Sequence, residues 1–471
     1  MKLLIPLDRF TIIQQPKGRF HSESGLFYFL LFHPIGIFTM PKKSTWETVA
    51  DLAVVGTYLY SRMNQDFLSS YYHEFKEPAL THRRFKHRDI VPLIQKLPFP
   101  NQLIGESTEG RSIHQVTIGN GPKKILLWSQ MHGDEPTATM ALFDLFRFFA
   151  SSNPIFAELR TLLTTELTLY FVPMLNPDGA ERYIRRTALE IDMNRDALAL
   201  QCPESRLLKK LQQELQPLFA FNLHDQGTRY SAGASGKQAT LSFLATAYNP
   251  AREWNEVRTR SRQVISGMNT YLQKLIPGHI GRYSDEFEPR AFGDNIQKWG
   301  SSLILIESGG YKDDREKQFI RQLNFLTLLE GLRLIAKDEY SDYTLADYES
   351  IPQNGRALFD FILRDIQFTY RGKTLKKDIA ININETFKST PPYYGLYGSV
   401  EEVGDLSTFF GIKELASQNL SFRSLNEYPQ WAKKVKSIPK GSQLLGKQAN
   451  FALVQGNTLK YVVINGQMES V

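Results

Sequence analysis

The chain has 471 residues, 42% hydrophobic and 22% charged, which is material for about three average domains and excludes a chain that is mainly disordered. A lone cysteine, Cys202, excludes an internal disulfide and a cysteine metal cage, so any metal site must use histidine and carboxylates. The 56 basic and 49 acidic residues leave a net charge of +7 spread along the whole chain, too shallow an excess to point to nucleic acid.

Residues 1–63 read as an N-terminal extension, either packed on the body or preceding a later start at Met40 or Met63. Its apolar stretch 25–38, GLFYFLLFHPIGIF, is broken by His33 and Pro34 and is shorter than the roughly eighteen residues a membrane span requires. It lacks a clean positive flank and a small-residue cleavage site. No membrane span is expected. A cytoplasmic location is expected, with a periplasmic or secreted one as the alternative if this segment directs export. Residues 82–97 read as an amphipathic entry helix interrupted by Pro92.

From about 90 to 338, strand-like apolar runs alternate with helical stretches, the pattern of an α/β layer structure with a largely buried sheet. The polar residues sit at strand ends. The run 124–128, KILLW, leads directly into SQMHGDEPTATMALFDLFRFF, a loop carrying His132 and Glu135 that turns into a helix with Pro136 at its first turn. The run 167–174 ends in Asn176-Pro177-Asp178-Gly179, the run 218–223 in His224-Asp225-Gln226, and the run 303–306 in Glu307. Ligand crevices of open α/β sheets lie off the carboxyl ends of the strands, so these four clusters are expected to converge.

His132, Glu135 and the remote His224 supply two imidazoles and one carboxylate, a set that leaves a fourth tetrahedral position for water. Glu307 is then free to act as general base. Taken singly, His132 could cap a helix, His224 could be a satisfied strand-end histidine, and Glu307 could pair with an arginine.

The order and context of these motifs resemble the zinc metallocarboxypeptidase family of the carboxypeptidase A type, over roughly residues 80–335. Ile104-Gly105-Glu106-Ser107 and Glu109-Gly110-Arg111 are similar to that family's lead-in, His132-Gly133-Asp134-Glu135 to its first zinc motif, and Asn176-Pro177-Asp178-Gly179 to its next turn. The resemblance implies a mixed eight-stranded sheet flanked by helices and one zinc ion on His132, Glu135 and His224. It further implies Glu307 (LIESGG) as catalytic glutamate and Arg185 (YIRRT) as the arginine that polarises the scissile carbonyl. Asn194 and Arg195 (DMNRD) match the pair that grips the terminal carboxylate. Of Arg185 and Arg186, one is expected to face the site while the other lies on the surface or pairs with Glu190. Tyr283 stands near the place of the family's mobile tyrosine, with a packing aromatic as the alternative.

Asp134 replaces the arginine of digestive members, a form closer to bacterial, cytosolic and deacylase branches, and Asp196 stands where many members carry asparagine. Arg290 and Asp294 are candidate side-chain-pocket residues, for an acidic or a basic terminal residue respectively. The implied activity is removal of a C-terminal amino acid from a peptide with a free carboxylate. The alternatives are an amidohydrolase of N-acyl amino acids or cell-wall peptides, and a catalytically idle peptide-binding module.

Beyond about 338 the texture changes to short apolar runs divided by turn residues, 358–370 and 378–383 among them, followed by the Gly/Tyr/Pro-rich stretch 391–398. A closing hairpin is expected with Gln455-Gly456-Asn457 as its turn. The expected division is thus 1–63, a catalytic domain over 64–338, and a smaller, mostly-β domain over 339–471. Lys433, Lys434, Lys436 and Lys440 form a local basic cluster, read as a solvated loop or a minor contact for acidic substrate. The sequence leaves the oligomeric state open.

Overall fold

The computed structural model describes residues 68–416, 419–440 and 443–471. The apolar stretch at 25–38 and the extension to residue 63 lie outside them. Among the described residues, no helix is long and apolar enough to cross a membrane.

The strands of the first sheet are β1 (Asn101–Glu106), β2 (Ser112–Ile118), β3 (Lys123–Ser129), β4 (Leu167–Val172) and β5 (Phe219–Asp225). A two-residue β6 (Ser231–Ala232) stands apart, and β7 (Leu241–Leu244), β8 (Ile280–Arg282) and β9 (Ser302–Ser308) complete the set. The sheet has eight strands in the order β1-β2-β4-β3-β5-β9-β7-β8. Its centre, β4-β3-β5-β9, is parallel, while β1-β2, β2-β4 and β7-β9 are antiparallel.

The central strands read as continuous apolar runs because both faces are covered. Ile125 and Leu127 of β3 point into one core with the helices Thr137–Ala150, Glu256–Leu275 and Gln318–Lys337. Leu126 and Trp128 point into the other, which includes Leu208 and Leu211 of the helix Pro203–Leu215 and Phe292 and Ile296 of the helix Phe292–Lys298. The entry helix is shorter than 82–97. It runs His87–Gln95, with the Asp89 carboxylate accepting from the Lys86 N–H at 2.8 Å at its start, and it retains Pro92 inside.

Residues 339–355 pack on the first sheet's layer. Tyr348 is buried and its hydroxyl accepts from the Ala245 backbone N–H at 3.1 Å, while β10 (Asn354–Gly355) pairs with β6.

The second large sheet contains β11 (Leu358–Tyr370), β12 (Lys373–Phe387), β13 (Tyr394–Gly404), β14 (Phe410–Ala416), β15 (Leu420–Ser424), β16 (Phe451–Gln455), β17 (Thr458–Ile464) and β18 (Gln467–Ser470). The chain therefore ends in a mostly-β region. Its core joins Phe361, Leu363, Ile379, Ile381, Val400, Phe451, Leu453 and Val463. The closing hairpin pairs Gln455 with Thr458, so the turn is Gly456-Asn457, with Gly456 in the left-handed region at φ 60°.

Candidate active site

Four carboxyl-terminal strand ends deliver polar side chains to one edge of the first sheet. After β3 the backbone turns sharply at Gln130 (φ 46°), then carries His132-Gly133-Asp134-Glu135. After β4, Asn176 opens a short helix and its side chain accepts from the Gly179 N–H at 2.9 Å. The two loops press together closely enough that a Cβ on Gly133 would stand 1.9 Å from the Gly179 carbonyl carbon, so glycine is required there.

The lead-in motifs converge on the same turn. Buried Asp178 accepts from Ser107 Oγ at 2.7 Å, the Glu109 N–H at 3.0 Å and Arg111 Nη1 at 2.6 Å.

Among the described residues, His132, Glu135 and His224 form a buried group whose potential ligand atoms all lie within 4.8 Å of one another. Glu135 Oε1 stands 2.8 Å from His132 Nδ1, Glu135 Oε2 stands 2.7 Å from His224 Nδ1, and the two Nδ1 atoms are 3.1 Å apart. His132 Nε2 lies 3.1 Å from Asp192 Oδ1, a contact that would hold the ring proton on Nε2 and free Nδ1 as a donor to a bound metal ion. A carboxylate and two imidazole nitrogens aimed at one point match the donor set of a divalent zinc site. Burial alone disfavours a charged imidazole at both histidines. At His132 the Glu135 carboxylate and the Asp192 contact outweigh that effect and raise the pKa, whereas at His224 burial prevails and lowers it.

Arg185 faces this group. Its Nη1 is 3.0 Å from His132 Nδ1 and donates to Glu135 Oε1 at 3.2 Å, while its Nε donates to Asp192 Oδ2 at 3.0 Å. Arg186 turns away and donates to the backbone carbonyl of Glu190 at 2.9 Å.

Glu307 is directly opposite His224 in the parallel β5–β9 register. Its Oε2 is buried with no hydrogen-bond partner, and burial, reinforced by the nearby Glu135 and Asp225 carboxylates, pushes its pKa well above the ordinary value. Asp225 itself is held by Lys317 Nζ at 2.9 Å and Thr137 Oγ1 at 2.5 Å. The Tyr283 ring packs edge-on to Tyr230 at 5.7 Å, and its hydroxyl pKa is raised by burial and then by the Glu307 carboxylate.

Asn194 and Arg195 lie on the same side, at a turn capped by Asp192, whose Oδ1 accepts from the Asn194 N–H at 3.0 Å. Asn194 Oδ1 accepts from the Phe292 N–H at 3.0 Å, and Arg195 Nε pairs with Glu288 Oε2 at 3.2 Å. Sequence reasoning had no role for Asp192, although it opens the DMNRD motif. Its carboxylate touches His132, Arg185 and Asn194 together. Asp294 is buried, with Oδ1 accepting from the Glu288 N–H at 3.3 Å, and Arg290 extends outward to Glu288.

A family profile described as zinc carboxypeptidase matches residues 100–275, a segment that includes His132, Glu135, Arg185, Asn194, Arg195 and His224 but not Tyr283 or Glu307. Carboxypeptidase 2 of Trichophyton rubrum is 26% identical over 194 residues, covering 40% of this chain and 32% of that protein. Carboxypeptidase 2 of Trichophyton tonsurans is 26% identical over 192 residues, covering 40% and 33%. The chain thus spans about a third of the length of these curated relatives. A crystal structure of a metallo-carboxypeptidase from Burkholderia cenocepacia aligns with 54% of this chain and 69% of its own, at 16% identity and a TM-score of 0.43. Residues 100–275, which hold the two-histidine, one-carboxylate group, match the zinc carboxypeptidase family profile and are similar to the carboxypeptidases above.

Proposed function

We propose that this protein is a zinc metallocarboxypeptidase that removes the last residue of a peptide with a free terminal carboxylate, using one zinc ion. The observation that carries this reading is the meeting of His132, Glu135, His224 and Arg185 beside Glu307, in register with His224. On this reading residues 64–338 are the catalytic domain and 339–471 a second, mostly-β domain.

A bound zinc ion would supply Lewis-acid polarisation of water and of the scissile carbonyl. Glu307 would take a proton from the attacking water on its unpartnered Oε2. It would return that proton to the leaving amine as the carbon–nitrogen bond breaks. A raised pKa favours the second half of that exchange. Arg185, permanently charged, would stabilise the developing oxyanion. Asp192 would hold the His132 tautomer and the Arg185 guanidinium in one orientation. Arg195 and Asn194 would bind the terminal carboxylate, and Tyr283 would cover the bound residue.

The test is metal analysis of the purified protein together with mass spectrometry of a peptide digest. One zinc per chain and release of single C-terminal residues from free but not amidated peptides are expected. Glu307→Gln should lower kcat by about 10²–10⁴-fold while zinc content is retained. Turnover of amidated peptides at the same rate, or full activity of Glu307→Gln, refutes the reading. Turnover confined to N-acyl amino acids transfers the site to the amidohydrolase alternative.

A further inference from the structure

Arg195 already has a carboxylate beside it. A bidentate bond to a carboxylate takes two parallel N–H groups on one edge of the guanidinium, either Nε with a terminal nitrogen or the two terminal nitrogens. Glu288 Oε2 already stands 3.2 Å from Arg195 Nε, and Arg195 Nη1 donates to the Asn194 carbonyl at 2.7 Å. The edge that carries Nε is therefore already faced by a carboxylate.

The engagement by Glu288 is built in by the backbone. The Glu288 N–H donates to Asp294, the Ala197 N–H donates to the Arg290 carbonyl at 3.1 Å, and the Phe292 N–H donates to Asn194 Oδ1 at 3.0 Å. The last two bonds lash the 288–292 loop to the 194–197 segment. Glu288 also has a second partner, since Arg290 Nε and Nη2 donate to its two carboxylate oxygens, each at 3.0 Å. Those bonds can persist when the contact with Arg195 is lost.

We propose that Glu288 is a built-in competitor for the substrate's terminal carboxylate, holding Arg195 in the free protein and yielding to Arg290 when the substrate docks. The inference rests on the reading of Arg195 as the carboxylate-binding residue. Glu288 and Arg290 then set affinity for carboxylate ligands without touching the reacting bond. Arg290 acts as the parking place for the displaced carboxylate, a role different from that of a side-chain-pocket residue.

The test is calorimetric binding of 3-phenylpropanoate, which has no scissile bond, and of 3-phenylpropanamide to the zinc-loaded full chain. Glu288→Gln and the shorter, still charged Glu288→Asp should bind the carboxylate roughly three- to tenfold more tightly, the scale of one part-exposed ion pair plus relief of repulsion, with the amide unchanged. Arg290→Gln should bind the carboxylate more weakly, because Glu288 loses its alternative partner. Exposed Glu286 provides a charge control, and Glu286→Gln should match the parent protein. Unchanged affinity in both Glu288 variants, or an equal gain in Glu286→Gln, overturns the proposal. Arg195→Gln separates the layers: if it leaves carboxylate affinity intact, the assignment of Arg195 fails and takes this inference with it. If it abolishes that affinity while the Glu288 variants do nothing, only the competitor is lost.

Discussion

The two large sheets differ in what they do with polar residues. The first is parallel at its centre and covered on both faces, so its strands carry hydrocarbon along their length and chemistry at their carboxyl ends. The second has an apolar core with buried Asn450 as its polar side chain among the described residues, and its charged residues reach outward as ties. Glu385 of β12 pairs with both Arg83 and Arg84, while Asp360 of β11 accepts from Arg229 at 2.9 Å. Those ties end beside the candidate site. Arg84 lies 4.0 Å over the ring of Tyr183, two residues before Arg185, and Arg229 adjoins Tyr230, which packs on Tyr283. One sheet thus presents the candidate reactive groups, and the other ties down the loops that carry them.

The largest stability effect should come from the first region, which buries charge as well as hydrocarbon. Arg321 and Asp144 are fully buried and doubly bonded, with Arg321 Nε at 2.7 Å and Nη2 at 2.5 Å from the two carboxylate oxygens. Arg321 also donates to the carbonyls of Leu80 and Glu77, fastening the first described segment to the body. Arg321→Met leaves Asp144 buried without its cation, so a loss of about 3–5 kcal/mol is expected in urea denaturation. A loss below about 1 kcal/mol would mean that the pair is dispensable and that the contrast between the two cores is overstated.

Leu453→Ala in the second core should cost about 2–5 kcal/mol by leaving a cavity. Because no ligand of the candidate metal site lies in that sheet, zinc content measured below the unfolding transition should stay at the parent value. Coincident unfolding by tryptophan fluorescence and circular dichroism would show that the two sheets unfold as one unit, and separated transitions that they do not.

How much of this was visible beforehand depends on how local the signal is. His132-Gly133-Asp134-Glu135 is readable because a strand, a turn and a helix start lie within a few residues, and Gly133 must be glycine for the neighbouring loop to approach. Glu307 is readable as the polar end of an apolar run, and the 358–370 run matches β11 from end to end because an apolar stretch between turn residues has few other ways to fold. Asp192 passed unnoticed because a carboxylate in a polar loop has no periodic signature, and its meaning lies in contacts with residues as far away as His132. The ties between Arg83, Arg84 and Glu385 cross about three hundred residues of chain and join charges that look like ordinary surface. The shortened entry helix has a similar cause, since the bond from the Lys86 N–H to the Asp89 carboxylate starts the helix at His87 against the amphipathic periodicity of residues 82–86.

A smaller effect tests the steadying role directly. Glu385→Gln removes the carboxylate that holds Arg83 and Arg84 against Tyr183, and kcat on a carboxypeptidase substrate should fall by roughly tenfold with KM little changed, as expected when an oxyanion-stabilising group is misplaced rather than removed. Zinc content should be unaffected. Equal kcat in parent and variant would leave the second sheet as a passenger.

The subtlest test concerns Asp294, whose Oδ1 holds the backbone of the loop that presents Glu288. Burial pushes its pKa up to about 7, the bond from the Glu288 N–H opposing the shift without cancelling it. In the unfolded chain the same carboxyl titrates near its ordinary value of about 4. Between those two values the native state holds a proton that the unfolded state has released, so this group's contribution is fully present below about pH 4 and is lost as the pH rises through about 7. Asp294→Asn cannot titrate and should remove that slope. The stability of the parent protein minus that of the variant, measured by urea denaturation at several pH values, should therefore decrease steadily from pH 4 to 7 and level off above it. A difference that stays flat across the range would mean that Asp294 is ionised throughout, with its carboxylate already competing for the cations of Arg195 and Arg290.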